Sequence, residues 1–166
     1  PGAESLLEEH LSVVRGAWPA ARVQTREAAL VLEPSPDPTI LALQREYDLV
    51  NVRILFEGRE FEGALGLLHH IRGDDYDYLI LDSGSLRLGR RVAGEDTVLE
   101  RAEIELSPGW HEIEVVAAGD HFRGYVDGEL LVHGHAGERS PGRVGLLIDG
   151  AGTLALDDLR VTSLDS

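Results

Sequence analysis

Five glutamates crowd one stretch of the chain: Glu100, Glu103, Glu105, Glu112 and Glu114. Paired carboxylates are the tools of glycoside hydrolysis. That chemistry needs them roughly 5–5.5 Å apart for retention of configuration, or about 6.5–9.5 Å apart for inversion. Glu103 and Glu105 are two residues apart, so a strand would put both on one face. The same alternation is also what the solvated face of a strand shows in an acidic protein.

Histidine is the second chemistry to weigh. His133 and His135 share a face if their strand continues, and His121 lies across a hairpin from them, so three ring nitrogens come into question. Pairing about the turn Asp127-Gly128 sets His133 opposite Phe122 and His121 opposite Gly134. His121 then points to the other face, and the expectation is of surface histidines at strand ends. No phosphate loop, dinucleotide fingerprint or nucleophile elbow is present. Asp82-Ser83-Gly84-Ser85 reads as a turn.

The setting of these residues is acidic. Thirty acids against 15 bases leave a formal charge of −15, and every base is arginine. Phosphate binding needs a basic face, so nucleic acid and anionic membrane surfaces are excluded as expected partners. With no cysteine there is no disulfide, thiolate zinc site or cysteine nucleophile. No apolar run approaches the roughly 20 residues of a membrane helix. Methionine is absent even at position 1, which implies a processed or cut end. Nineteen glycines and seven prolines imply many turns and many short elements, which favours strands. The expectation is one domain over residues 1–166.

One helix is expected. Leu7, Leu11, Val14 and Trp18 form a stripe within Ala3 to Trp18, Ser5 and Glu8 make a capping box, and Gly16 and Pro19 close it. From residue 28 onward the pattern is β. Ala28 to Leu32 stops at Pro34, Pro36 and Pro38, and Asp48 to Glu57 follows with Val50, Val52, Ile54 and Phe56 inward. Strands are then read at Ala64 to Arg72, Tyr76 to Asp82, Ser85 to Arg91, Val98 to Leu106 and His111 to Ala118. Ile113, Val115 and Ala117 face inward in the last of these, and Trp110 would cap the core. His121 to Val126 and Glu129 to His133 make a hairpin on Asp127-Gly128, which suits a type I′ turn. Arg143 to Asp149 and Thr153 to Val161 finish the chain. A phase slip at Asp157-Asp158 reads as a β-bulge. Ten to twelve strands at this spacing imply an all-β, two-sheet antiparallel jelly-roll sandwich.

The second half has a familiar order of parts. Gly109-Trp110-His111 precedes Tyr125-Val126-Asp127-Gly128, then Gly142-Arg143-Val144-Gly145-Leu146, then Asp157-Asp158-Leu159-Arg160-Val161. Gly66-Leu67-Leu68 and Asp74-Asp75-Tyr76-Asp77-Tyr78 fit the same scheme. Over roughly residues 45 to 163 the chain resembles the concanavalin A-like lectin/glucanase superfamily. It looks closest to laminin G-like modules and to domains of the 3-keto-disaccharide hydrolase type. Trp18 and Val23 stand where that family has its opening tryptophan and first strand.

The resemblance implies a binding face on the concave sheet or its rim. Arg72, Tyr76, Tyr78, Arg123 and Tyr125, with His69 and His70 beside them, would supply planar polar groups and flat rings. It implies a structural calcium at the sandwich edge, with Asp157 and Asp158 as ligands and Asp74, Asp75 and Asp149 as alternatives. It implies an extracellular or periplasmic protein. Glucanases of the superfamily carry a run E-x-D-x-x-E or E-x-D-x-E, and Arg101-Ala102-Glu103-Ile104-Glu105-Leu106 lacks its central aspartate. The expected function is thus a lectin-like, non-catalytic module for carbohydrate or a protein surface. The alternatives are a glycoside-acting enzyme of the 3-keto-disaccharide hydrolase type, and an accessory domain that packs within a larger protein.

Overall fold

A computed structural model describes residues 11–16, 20–24, 29–33 and 37–164. The elements are strands: β1 (Leu11–Arg15), β2 (Ala20–Gln24), β3 (Ala29–Glu33), β4 (Thr39–Tyr47), β5 (Val50–Arg72), β6 (Asp75–Asp82), β7 (Ser85–Val92), β8 (Glu95–Glu103), β9 (His111–Ala118), β10 (His121–Val126), β11 (Glu129–His135) and β12 (Gly142–Ser163). All pairings are antiparallel.

Two strands organise the rest. β5 and β12 pair with each other from Arg143 opposite Ile71 to Ser163 opposite Val50. The second half of β5 joins β6, while its first half joins β9. The first part of β12 joins β4, and its later part joins β3. The sheet is therefore continuous in hydrogen bonding but folded into two layers. The first runs β1-β4-β12-β5-β6-β7-β8. The second runs β2-β3-β12-β5-β9-β10-β11.

The main core lies between the layers. Leu65, Leu67, Leu79, Leu86, Leu88 and Leu146 come from the first, and Val52, Ile54, Ile113, Val115, Phe122 and Leu156 from the second. The expected inward residues Val50, Val52, Ile54, Phe56, Ile113, Val115 and Ala117 are all buried there. A second apolar cluster, including Ile40, Ala42, Leu68, Tyr76, Tyr78 and Ile80, lies on the opposite face of the first layer.

Several expectations are corrected. Leu11–Arg15 is a strand, not part of a helix, because β4 offers it a ladder from Leu11 opposite Leu43. The remainder of the expected helix, with Ser5, Leu7, Glu8 and Trp18, lies outside the described residues. β4 carries no alternation because Thr39 through Leu43 are buried on both faces, and a two-sided strand reads as a plain apolar run. The polar, glycine-bearing gap between Glu57 and Ala64 is strand as well, since the equally polar Asp149–Thr153 pairs with it. β8 starts earlier than expected and ends at Glu103. Trp110 is 39% exposed and caps nothing; His111 takes the inward place, 6.0 Å from the Phe56 ring. The bulge at Asp157-Asp158 is present, with Asp158 at φ 54.

The turn at Asp127-Gly128 has φ 50 and 82, as a type I′ turn requires. Asp127 also holds β9: Oδ1 accepts from the Glu112 amide, and Oδ2 lies 2.6 Å from His111 Nδ1. Burial pulls the His111 pKa down, but the Asp127 carboxylate and the Ser107 carbonyl together leave it raised.

At the passage between layers, Gly63 pairs with Gly150. A Cβ on Gly63 would stand 2.2 Å from the Asp149 carbonyl oxygen, and one on Gly150 would stand 2.3 Å from that of Glu62. Gly63→Ala, also strained by φ +146, is expected to cost roughly 3 kcal/mol or more in urea unfolding. Gly58→Ala, whose Cβ would meet nothing closer than 3.8 Å, is expected to change stability by less than about 1 kcal/mol.

Candidate functional site

The outer face of the first layer carries a groove. In β6 the alternation sends Asp77, Leu79 and Leu81 toward the core and Tyr76, Tyr78 and Ile80 outward. The two-residue turn Ser83-Gly84 fixes the register with β7. Arg91 then stands opposite Tyr76, Gly89 opposite Tyr78 and Arg87 opposite Ile80. Asp96 of β8 stands opposite Arg91. From the other side, Ile40 and Leu147 continue the row that Ile80 begins, with Gly66 between Leu147 and Ile80. A Cβ on Gly66 would press to 2.9 Å from Ile80 Cγ1, so the missing side chain deepens the floor. The groove holds about 240 Å³; Arg15, Arg87, Arg91, Asp96 and Asp149 stand around an apolar bottom.

Tyr78 is part of that bottom, not a stacking platform. It is 1% exposed, its ring lies over Gly89, and its hydroxyl donates to Asp96 Oδ1 at 2.5 Å. Burial and the Asp96 carboxylate both raise its pKa, so the phenol keeps the proton it donates. Arg87 lies 3.6 Å from Asp82 and 6.0 Å above the Tyr78 ring. The rim thus presents planar cations and carboxylates above an apolar floor, with Arg15, Arg87 and Asp96 held by Asp74, Asp82 and Tyr78.

The six residues expected to bind do not converge. Tyr76 and Tyr78 enter the groove. Arg72 is exposed at the end of β5, donating to the Pro141 carbonyl. Arg123 and Tyr125 face outward from β10, in the second layer, with the whole sandwich between them and the groove. His70 is buried. Sequence reasoning missed Arg87, Arg91, Asp96 and Arg15, and it weighed Asp149 only as a calcium ligand. The tight turn at Ser83-Gly84 would have yielded Arg87 and Arg91, because it sets the β6–β7 register.

His70 belongs to a polar network at one end of the core. His69 and His70 place their Nδ1 atoms 2.7 Å apart, so one donates and the other accepts. Arg90 binds Asp77 through Nε at 2.6 Å, and Arg139 approaches at 3.5 Å. Among the described residues, His69 Nε2 is buried without a hydrogen-bond partner, and the ring packs edge-on against Phe122. Burial drives the His69 pKa down to about 3, overcoming the attraction of Asp77. Burial also lowers that of His70.

The glutamates scatter. Glu103 and Glu105 are exposed at the end of β8 and beyond it. Glu100 accepts from the His133 amide, and Glu114 binds Asn51 in the second layer. Four of the five aspartates expected to hold calcium have protein partners. Asp158 pairs with Arg160 at 2.7 Å, and Asp157 accepts from the Asp158 amide. Asp74 pairs with Arg15, and Asp75 accepts from the Ala93 amide. Calcium needs six to eight converging oxygens. Asp74, Asp75, Asp157 and Asp158 are thus directed to arginines and amides.

Two outcomes follow. At His69 and His70 the fold refuses protons that the unfolded chain takes up below about pH 6.5, so their contribution is full above that pH and falls as pH drops. His69→Leu is expected to flatten that fall by about 1.3 kcal/mol per pH unit between about pH 5.5 and 4.5, read by denaturant unfolding at each pH. Millimolar calcium and a calcium chelator are each expected to move the thermal midpoint by less than about 1 °C.

No family model and no curated protein matches the chain. Its likeness is to solved structures. It aligns with the carbohydrate-binding module CBM66 from Bacillus subtilis at a TM-score of 0.74 and 15% identity, over 93% of this chain and 96% of that one. A Bacillus subtilis protein of unknown function with a galectin-like fold aligns at 0.73 and 9% identity, over 92% and 89%. A Bacillus licheniformis β-glucanase aligns at 0.67 and 11% identity, over 98% and 97%. Identities this low speak for architecture and not for activity. Together with the two layers and their strand order, they establish that the chain has the concanavalin A-like jelly-roll fold.

Proposed function

We propose that this chain is a non-catalytic carbohydrate-binding module whose ligand lies in the groove over β6 and β7. The observation that carries the reading is that Arg87, Arg91, Asp96 and Asp149 line one groove with a floor of Tyr76, Ile80 and Leu147. A sugar ring offers an apolar face and a rim of hydroxyls that both donate and accept. The floor suits the face. Guanidinium forks donate to hydroxyl oxygens, and carboxylates accept their protons. The overall charge of −15 favours a neutral glycan over an acidic one. Tyr78 acts as a positioning residue, fixing Asp96 through its hydroxyl.

A second cleft is a less suitable seat for a sugar. It holds about 360 Å³ at the end of the sandwich, and Phe56, Phe61, Leu65, Leu81, Ile104 and Leu154 supply an apolar part of its lining.

A panel of neutral soluble glycans tests the reading through thermal unfolding. A ligand at a hundred times its Kd adds about 2.7 kcal/mol to the folded state. One glycan class is expected to raise the midpoint, Arg87→Ala and Arg91→Ala to abolish the rise, and Arg123→Ala to keep it. Release of new reducing ends, or a rise that survives both groove substitutions, would overturn the proposal.

A further inference from the structure

The hairpin of β10 and β11 does not keep the register that its turn alone would set. Gly124 stands opposite Val132, whereas Tyr125 stands opposite Leu130. Leu131 is the extra residue of a bulge. Beyond it every pairing moves by one, so Arg123 meets His133 and His121 meets His135. A one-residue slip turns a side chain to the other face. The bulge therefore carries His133 and His135 onto the face that His121 already occupies.

The result is a compact set of donors. The rings of His121 and His135 lie with centroids 4.0 Å apart, inclined at 63°. Asp120 Oδ1 lies 3.6 Å from His121 Nε2. One nitrogen from each histidine and one oxygen of Asp120 all lie within 4.8 Å of one another. All three residues are exposed. The frame that presents them is fixed, because the Ala136 amide donates to the Asp120 carbonyl at 3.0 Å and closes the hairpin there. Glu138 brings Oε1 beside the same turn, 3.2 Å from where a Cβ on Gly119 would stand.

We propose that Asp120, His121 and His135 form a binding site for a late divalent transition metal, zinc or its neighbours. Two imidazole nitrogens with one carboxylate select such ions over calcium or magnesium, which take oxygen ligands. Metal–nitrogen bonds of about 2.0–2.1 Å require donors gathered on this scale. Three protein ligands leave a fourth position open to water, to Glu138 or to an incoming ligand. The buried trio His69, His70 and Asp77 is a poorer site. Its Nδ1 atoms are bonded to each other, and Arg90 and Arg139 already neutralise the carboxylate. The proposed site stands on the second layer, apart from the groove, and is independent of the carbohydrate reading.

Tag-free full chain, stripped of metal, is titrated with zinc chloride by calorimetry. One equivalent is expected to bind. His121→Ala and His135→Ala are each expected to weaken binding by about tenfold or more, as loss of one of three ligands demands. His133→Ala, on the same face but outside the trio, is expected to bind as the parent does. All three positions are exposed, and a thermal melt of each apo variant verifies that it folds. No zinc uptake by the parent chain, or equal loss in His133→Ala, would overturn the assignment.

Discussion

Gly63 and Gly150 face each other where β5 and β12 leave one layer and enter the other. Their backbones approach so closely that neither position has room for a side chain. Everything else hangs on that passage. It lets one pair of long strands serve as the centre of both layers, so their hydrogen bonds stay paired through the bend. It also turns the apolar face of the first layer toward that of the second. The edges then follow in order: β4 and β1 extend one layer on one side, and β9, β10 and β11 extend the other. A clash at this point would disturb the pairing from which both layers are built.

The end of the sandwich near β6 and β7 is closed by charge instead of by apolar packing. Asp77 is fully buried on the inner face, yet Arg90 satisfies it, and the same guanidinium reaches the Gly137 carbonyl in the segment before β12. Arg90 also stands 5.8 Å over the ring of Phe122 in the opposite layer. A buried ion pair of this kind adds little net stability, because desolvation offsets attraction. Its geometry nevertheless fixes where β7, β10 and the segment after β11 sit relative to each other. The outer face of the same two strands is the floor and rim of the groove. Position on one side of β6 and β7 therefore depends on the polar network on the other.

The two candidate sites illustrate different routes from fold to chemistry. The β6–β7 side of the groove is built from residues directly opposite one another in an unbroken pairing, so Tyr76, Tyr78, Arg87 and Arg91 follow from strand register alone. The histidine cluster depends on a break in register. Without the extra residue at Leu131, His121 would face away from His135, and the three donors would not meet. A bulge re-aims side chains without changing the strand order.

The amino-acid order by itself determined the class of fold. Alternation at Val50, Val52, Ile54 and Phe56 and at Ile113, Val115 and Ala117 marked inward faces, and Asp127-Gly128 marked a tight hairpin. These signals are local, and local sterics and burial enforce them. Tertiary structure decided what depends on contacts distant in sequence. β4 was hidden because its second face is covered, and the middle of β5 was hidden because polar strands pair only when a partner such as β12 arrives. Arg123 and Tyr125 look like companions of Tyr76 in composition, but layer membership places them on the far surface. Arg87, Arg91 and Asp96 share a rim with Tyr76 because hydrogen-bond register, and not residue type, decides which side chains become neighbours.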